Sequence, residues 1–246
     1  MTGAASGIGA GLAELFAAEG HSLVLTDRDA SGVQNVAARI VDSGGRASGV
    51  ALDIANAAEV ASAVAEIGVV DILINNAGLQ HVARLEDFPA DRWHHIVTVL
   101  LSGAADMMRA VIPGMRARGF GRIINIGSIH GQVASPYKSA YVAAKHGLLG
   151  LSKSVALENA DVDMTVNTIC PAYVRTPLVD AQIAAQAREH GLSEAQVVQE
   201  IMLAPMPKKA FVTIAEIHAL AAYLIGAAAR NVTAQAISID GGWTAR

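Results

Sequence analysis

The sequence has a single cysteine, Cys170, among its 246 residues. One thiol closes no internal disulfide and builds no metal site by itself, so no metal is expected and a reducing cytoplasm is the expected setting. Cys170 precedes Pro171 at the end of an apolar run and reads as core. Charge is also sparse, at 16% of residues, and the net charge of -4 gives no pull toward nucleic acid or an acidic membrane surface. No continuous apolar run reaches the ~18–20 residues of a membrane span. No basic region followed by an apolar stretch opens the chain, so no secretory signal is expected. Linkers, low-complexity segments and repeats are missing as well, which predicts one domain over residues 1–246.

What is present is 52% hydrophobic, enough for a large core. Short apolar runs alternate with helical patterns. Residues 21–26, 47–52, 69–75, 121–127, 164–169 and 236–239 read as strands. Residues 9–18, 57–67, 91–118, 139–158 and 214–228 read as helices. Apolar strands separated by helices predict an α/β fold whose parallel sheet is covered on both faces. From about 176 to 210 the pattern is polar and helical without a strand. An insertion of that kind beside a strand end predicts a helical lid over a substrate.

The chain opens MTGAASGIG. The spacing Gly3-x-x-x-Gly7-x-Gly9 predicts a turn whose backbone N–H groups meet a pyrophosphate at a helix N-terminus. Asp27 ends the next strand, where an acid accepts hydrogen bonds from ribose hydroxyls and repels a 2′-phosphate. That favours NAD over NADP, although Arg28 adjoins it; TDRDAS also reads as a helix cap. Asp53, after the following strand, suits the adenine amine, or is itself a cap. Asn75, Asn76, Ala77 and Gly78 end the fourth strand with small residues that let backbone pass close to a cofactor.

Tyr141 and Lys145 are four apart and share one face of the helix over 139–158. Ser128 lies at the C-terminal end of a strand, the sheet edge at which open α/β folds bind ligands. A phenol of pKa ~10 is a weak base at neutral pH. A nearby ammonium lowers that value. Ser128 can then hold a substrate oxygen while Tyr141 takes its proton and a hydride leaves for a nicotinamide.

TGAASGIG, NNAG, the Ser128, Tyr141 and Lys145 set and ICPAYVRTP together resemble the short-chain dehydrogenase/reductase family over Thr2 to Trp243. The resemblance implies a doubly wound Rossmann-type sheet and a homotetramer. The implied cofactor site is Gly3, Gly7, Ile8, Gly9, Asp27, Asp53, Ile54, Asn76, Ala77, Gly78, Tyr141, Lys145, Pro171, Val174 and Thr176. Within the family, NNAGLQHVA, SIHG, KSAYVAAKHG, TPLVDAQI and DGGW resemble the branch that oxidises (R)-3-hydroxybutyrate to acetoacetate with NAD. In that branch Gln80, His130, Lys138 and Gln182 hold the substrate carboxylate, and Trp243 helps enclose it. One cation with neutral hydrogen-bond donors suits a small monocarboxylate. The alternatives are another short hydroxy acid, or an NAD-binding paralogue of impaired activity.

Four departures from the family stand out. The strand that should precede the glycine turn is all but missing, so the first strand is expected to be truncated and its neighbours to lose hydrogen bonds. A GTG valine codon read as a start predicts that Met1 is misassigned and the natural chain longer. Leu100, in WHHIVTVLLSG, replaces an asparagine that anchors a water linking Lys145 to solvent, which implies an impaired proton relay. Asp53 to Asp71 is about one helical turn short, which keeps that helix in phase. Ala172 stands where the family has glycine.

Overall fold

A computed structural model of the chain describes residues 1–245, with Leu178 described by its backbone alone. Six strands alternate with helices: α1 (Gly7–Ala18), β1 (Ser22–Asp27), α2 (Ala30–Asp42), β2 (Arg46–Ala51), α3 (Ala57–Ile67) and β3 (Ile72–Asn75) come first. Then follow α4 (Ala90–Val97), α5 (Gly103–Arg118), β4 (Phe120–Ile126), α6 (Ser139–Glu158) and β5 (Asp163–Pro171). The chain ends with α7 (Pro177–His190), α8 (Glu194–Gln196), α9 (Ile214–Ile225) and β6 (Ala236–Ile239).

All strand pairs are parallel. β1 pairs with β2, and β3, β4, β5 and β6 follow one another in a second set. Between the two sets, among the described residues, only Met1 and Thr2 lie in the sheet, with Thr2 bridged to Thr26. Successive residues point to opposite faces. Leu73 and Ile123 pack with Val64, Met107 and Val111 under α3 and α5, while Ile74 and Ile124 pack with Leu12, Phe16 and Ile217 under α1 and α9. This is the doubly wound α/β architecture expected from the alternation of elements.

Each helix end has a local cause. Asp29 caps α2 by accepting from Gly32 N–H, and Asn56 caps α3 from Ala58 N–H. Thr213 and Glu216 cap α9 reciprocally. The eleven-residue α3 keeps Val60 and Val64 on one buried stripe, so the shorter segment costs no packing phase.

One expectation needs correction. The helix expected over 91–118 is broken by a wider π-helical turn at Thr98–Ser102, which one extra residue per turn creates. The continuous stretch Ala90–Arg118 also has the length and apolar composition of a membrane span, although no continuous apolar run shows it. Its inner face is a core face: Met107, Met108, Val111 and Met115 are buried against the sheet.

Candidate active site

The C-terminal ends of β1, β3, β4 and β5 open into a cleft of about 380 Å³. At one end lies the glycine turn. Gly3 and Gly7 hold φ of 64° and 57°, which favours glycine. A Cβ on Gly3 would meet Ala77 Cα at 2.5 Å, and one on Gly9 would strike the Gly3 carbonyl. The turn is tied down by Asn76, whose Nδ2 donates to the carbonyls of Gly3 at 2.9 Å and Thr2 at 3.1 Å. Ser6, the N-cap of α1, makes no side-chain cap, so the helix presents its first-turn N–H groups to the cleft. Asp27 stands beyond the turn. Its carboxylate accepts from Ala5 N–H at 3.1 Å and Asp29 N–H at 3.0 Å and still lines the cleft, as does Arg28.

The middle of the cleft holds Ser128, Tyr141 and Lys145. Helix α6 is fixed from below by a buried polar ladder. Asn75 Nδ2 donates to Asn125 Oδ1, Asn125 Nδ2 to Ser152 Oγ, and Thr168 Oγ1 to Ser152 Oγ, each at 2.9 Å. Ala140, Ala144 and Leu148 add an apolar stripe one turn apart. Tyr141 and Lys145 therefore sit on a helix that cannot rotate without unpairing buried groups. Lys145 is 4% exposed, and its Nζ lies 5.7 Å from the Tyr141 ring centroid and donates to the Ile126 carbonyl at 2.6 Å. Burial pushes the ammonium down to about 8. Burial holds the Tyr141 phenol above its ordinary value, and a hydrogen bond with Ser128 pulls it back. Ser128 Oγ also accepts from His130 N–H at 3.1 Å.

At the far end, five segments converge. The His130 ring centroid lies 6.4 Å from that of Tyr141 and 5.9 Å from that of Trp243. Lys138 Nζ lies 5.5 Å from the centre of the Tyr173 ring, which in turn meets Trp243 at 5.8 Å. Gln182 comes from α7, whose N-cap Thr176 and first-turn Pro177 start the lid; its Nε2 donates to Gln80 Oε1 at 3.3 Å and closes the cleft. Gln80 Nε2 is buried without a partner among the described residues, which leaves a donor for an anion. Burial, reinforced by Lys138, pushes His130 down to about 4, so the ring is neutral at physiological pH. Burial also lowers the Lys138 ammonium from its usual range.

Gly3, Gly7, Ile8, Asp27, Asn76, Gly78, Pro171, Val174 and Thr176 line this cleft together with the substrate residues named above. Asp53, Ile54 and Ala77 line a side recess of about 100 Å³ that shares Gly3, Asp27 and Gly78 with it. Asp53 Oδ1 accepts from Ala55 N–H at 2.9 Å, so it caps its own turn as well. Gly9 is packed beneath the turn instead of lining the cleft. Tyr173 lines the cleft and is not among the residues expected from sequence; its place in PAYV, right after the strand, is the signal for it.

Comparisons with known proteins agree with this geometry. The family model described as Enoyl-(Acyl carrier protein) reductase matches residues 3–244. D-beta-hydroxybutyrate dehydrogenase of Rhizobium meliloti (strain 1021) is 46% identical over 255 residues, covering 100% of this chain and 98% of the relative. The Cupriavidus necator enzyme of the same name is 43% identical over 253 residues, covering 100% and 97%. A crystal structure of an actinorhodin polyketide ketoreductase variant with NADPH superposes with a TM-score of 0.93 at 32% identity, covering 98% of this chain and 95% of that one.

Proposed function

The chain belongs to the short-chain dehydrogenase/reductase family of oxidoreductases, and from that premise we propose that it interconverts (R)-3-hydroxybutyrate and acetoacetate with NAD. One observation carries the reading: a half-buried cation, Lys138, lines one end of the cleft together with Gln80, neutral His130 and Gln182, beside Ser128 and Tyr141. That set fits a small monocarboxylate whose reacting oxygen sits on the carbon β to the carboxylate.

The residues present fit the cofactor. The uncapped first turn of α1 and the turn of Gly3, Gly7, Ile8 and Gly9 would hold the pyrophosphate. Asp27 would accept the ribose hydroxyls, Asp53 and Ile54 would face the adenine, and Asn76, Ala77, Gly78, Pro171, Val174 and Thr176 would flank the remainder. Bound NAD supplies the acceptor for the hydride that leaves the alcohol carbon. Ser128 orients the alcohol oxygen, and Tyr141 as phenolate takes its proton. Lys145 favours that phenolate by its charge and holds the nicotinamide ribose. The Asp27 carboxylate supports NAD, whereas Arg28 beside it favours a 2′-phosphate.

The chain acts as one domain with residues 176–210 as its lid, and as a homotetramer in the cytoplasm. Leu100, 2% exposed, stands with Asn75 and Lys145 around a cavity of only about 10 Å³. An aliphatic side chain there offers no hydrogen bond, so the proton of Tyr141 leaves slowly and turnover is reduced.

The test is Lys138→Met. Loss of a charge-assisted hydrogen bond predicts a KM for acetoacetate raised about 10- to 100-fold with kcat nearly unchanged. An unchanged KM overturns the carboxylate assignment.

A further inference from the structure

Among the described residues, three other than glycine hold positive φ: Tyr137, Lys209 and Ala234. An L side chain in that region crowds the carbonyl that follows it, so an aromatic residue there needs a cause. Lys209 has one, since its N–H donates to the Met206 carbonyl at 3.0 Å and its Nζ to the Leu203 carbonyl at 3.2 Å. The Ala234 N–H donates to the Val166 carbonyl at 2.8 Å, beside the sheet. Tyr137, at φ 66°, is the one of the three that directly precedes a residue of the cleft, Lys138. Its side chain is 49% exposed, so burial does not account for the conformation. A hydrogen bond does: the Tyr137 carbonyl accepts from Ala83 N–H at 3.0 Å. Ala83 packs with Phe88, Ile96, Ala140 and Ala144, and the His81 ring meets Phe88 edge-on at 5.1 Å. On its other side, the Lys138 carbonyl accepts from Val142 N–H at 2.9 Å and opens α6, while its side chain makes no cap there. The Ala83–Tyr137 bond therefore joins the segment that carries Gln80 to the segment that carries Lys138. The Arg84 guanidinium lies 5.8 Å from the centre of the Tyr137 ring and covers the same joint.

We propose that Tyr137 is a positioning residue for the substrate carboxylate: its left-handed backbone, locked by the Ala83 N–H, aims Lys138 into the cleft beside Gln80. The inference rests on the carboxylate reading given above. The peptide plane between Tyr137 and Lys138 carries both the carbonyl that Ala83 holds and the N–H of Lys138. Negative φ at Tyr137 turns that carbonyl away from Ala83 and re-aims the chain entering Lys138. The lysine then gives up either its place at the start of α6 or the place of its Nζ 5.5 Å from the centre of the Tyr173 ring. A lysine side chain loses much rotamer freedom when it grips a ligand. A backbone fixed on both sides leaves less of that freedom to lose on binding. Strain of this kind persists where the surroundings over-determine it, and functional sites are where it collects. Glycine would relieve the strain but would also free the loop.

The experiment compares Tyr137→Val with Tyr137→Asn in the full chain. β-Branched valine does not hold positive φ, whereas asparagine adopts it more readily than most residues. Tyr137→Val raises the KM for acetoacetate about tenfold or more, with kcat and the Kd for NAD within about twofold of the parent. It also speeds amide hydrogen exchange at Ala83 about tenfold. Tyr137→Asn returns both the KM and the Ala83 protection to within about threefold of the parent. Placed in the Lys138→Met chain, Tyr137→Val raises the KM no further, because the two residues act as one unit. An equal further rise in that background overturns the inference. So does a parent-like KM in Tyr137→Val when Lys138→Met is impaired, or an asparagine variant as impaired as the valine one. Unprotected exchange at Ala83 in the parent overturns it without any variant. An unchanged KM in Lys138→Met overturns the carboxylate reading itself and this inference with it, which tells the two failures apart.

Discussion

Lys145→Met tests whether the fold carries a strained charge for the sake of chemistry. Burial lowers the Lys145 ammonium from 10.5 to about 8, so the folded pKa lies below the unfolded one. Between those values the unfolded chain binds a proton that the folded chain does not. The contribution of Lys145 to stability is therefore lowest below about pH 8 and recovers as pH rises toward 10.5. At ~1.4 kcal/mol per pH unit, the charged side chain costs the fold about 3 kcal/mol at pH 7 and about 1 kcal/mol at pH 9.5. Methionine removes that term. It also removes the 2.6 Å hydrogen bond to the Ile126 carbonyl, a loss that is nearly the same at both pH values. The stability of the variant relative to the parent should thus improve by about 2 kcal/mol on going from pH 9.5 to pH 7, while activity is lost. Urea unfolding of both proteins at the two pH values measures this. Parallel pH dependences would refute the reasoning, because they would mean that Lys145 is not desolvated in the fold.

Two further outcomes follow from the site. Leu100→Asn adds a hydrogen-bonding side chain to the small cavity beside Lys145, and kcat should rise about tenfold or more with KM steady. No gain in steady-state turnover contradicts the relay argument. Asp27→Ser removes the charge that opposes a 2′-phosphate while Arg28 stays, so the ratio of kcat/KM for NAD over NADP should fall about tenfold or more. An unchanged ratio places cofactor selection elsewhere.

The order of strands and helices was legible because each run has a clear period: Ala57–Ile67 and Ser139–Glu158 keep the expected bounds, and Ala236–Ile239 is the expected strand. The convergence of Ser128, Tyr141 and Lys145 follows from two local facts, a strand end and a four-residue helical spacing. Helix α2 was not singled out, and β5 runs on from the expected Ile169 to Pro171, where pairing with β6 extends it. The π-helical turn at Thr98–Ser102 left no trace, because one inserted residue barely alters a 3.6-residue pattern. The ladder of Asn75, Asn125, Ser152 and Thr168 was equally hidden, since its partners are 50, 27 and 16 residues apart and meet only after the sheet forms. The truncated first strand was expected to cost its neighbours hydrogen bonds: Met1 and Thr2 pair on both sides as far as they reach, and β1 and β3 otherwise stay in separate sheets.

The most direct test of the central reading is the formation of NADH by this chain with (R)- and (S)-3-hydroxybutyrate in separate reactions. The account predicts NADH from the R acid at a rate at least about tenfold above that from the S acid, because Ser128 and Tyr141 meet the oxygen on one side of a carboxylate held by Lys138. Equal rates with both acids, or none with either from a folded protein that binds NAD, would contradict it.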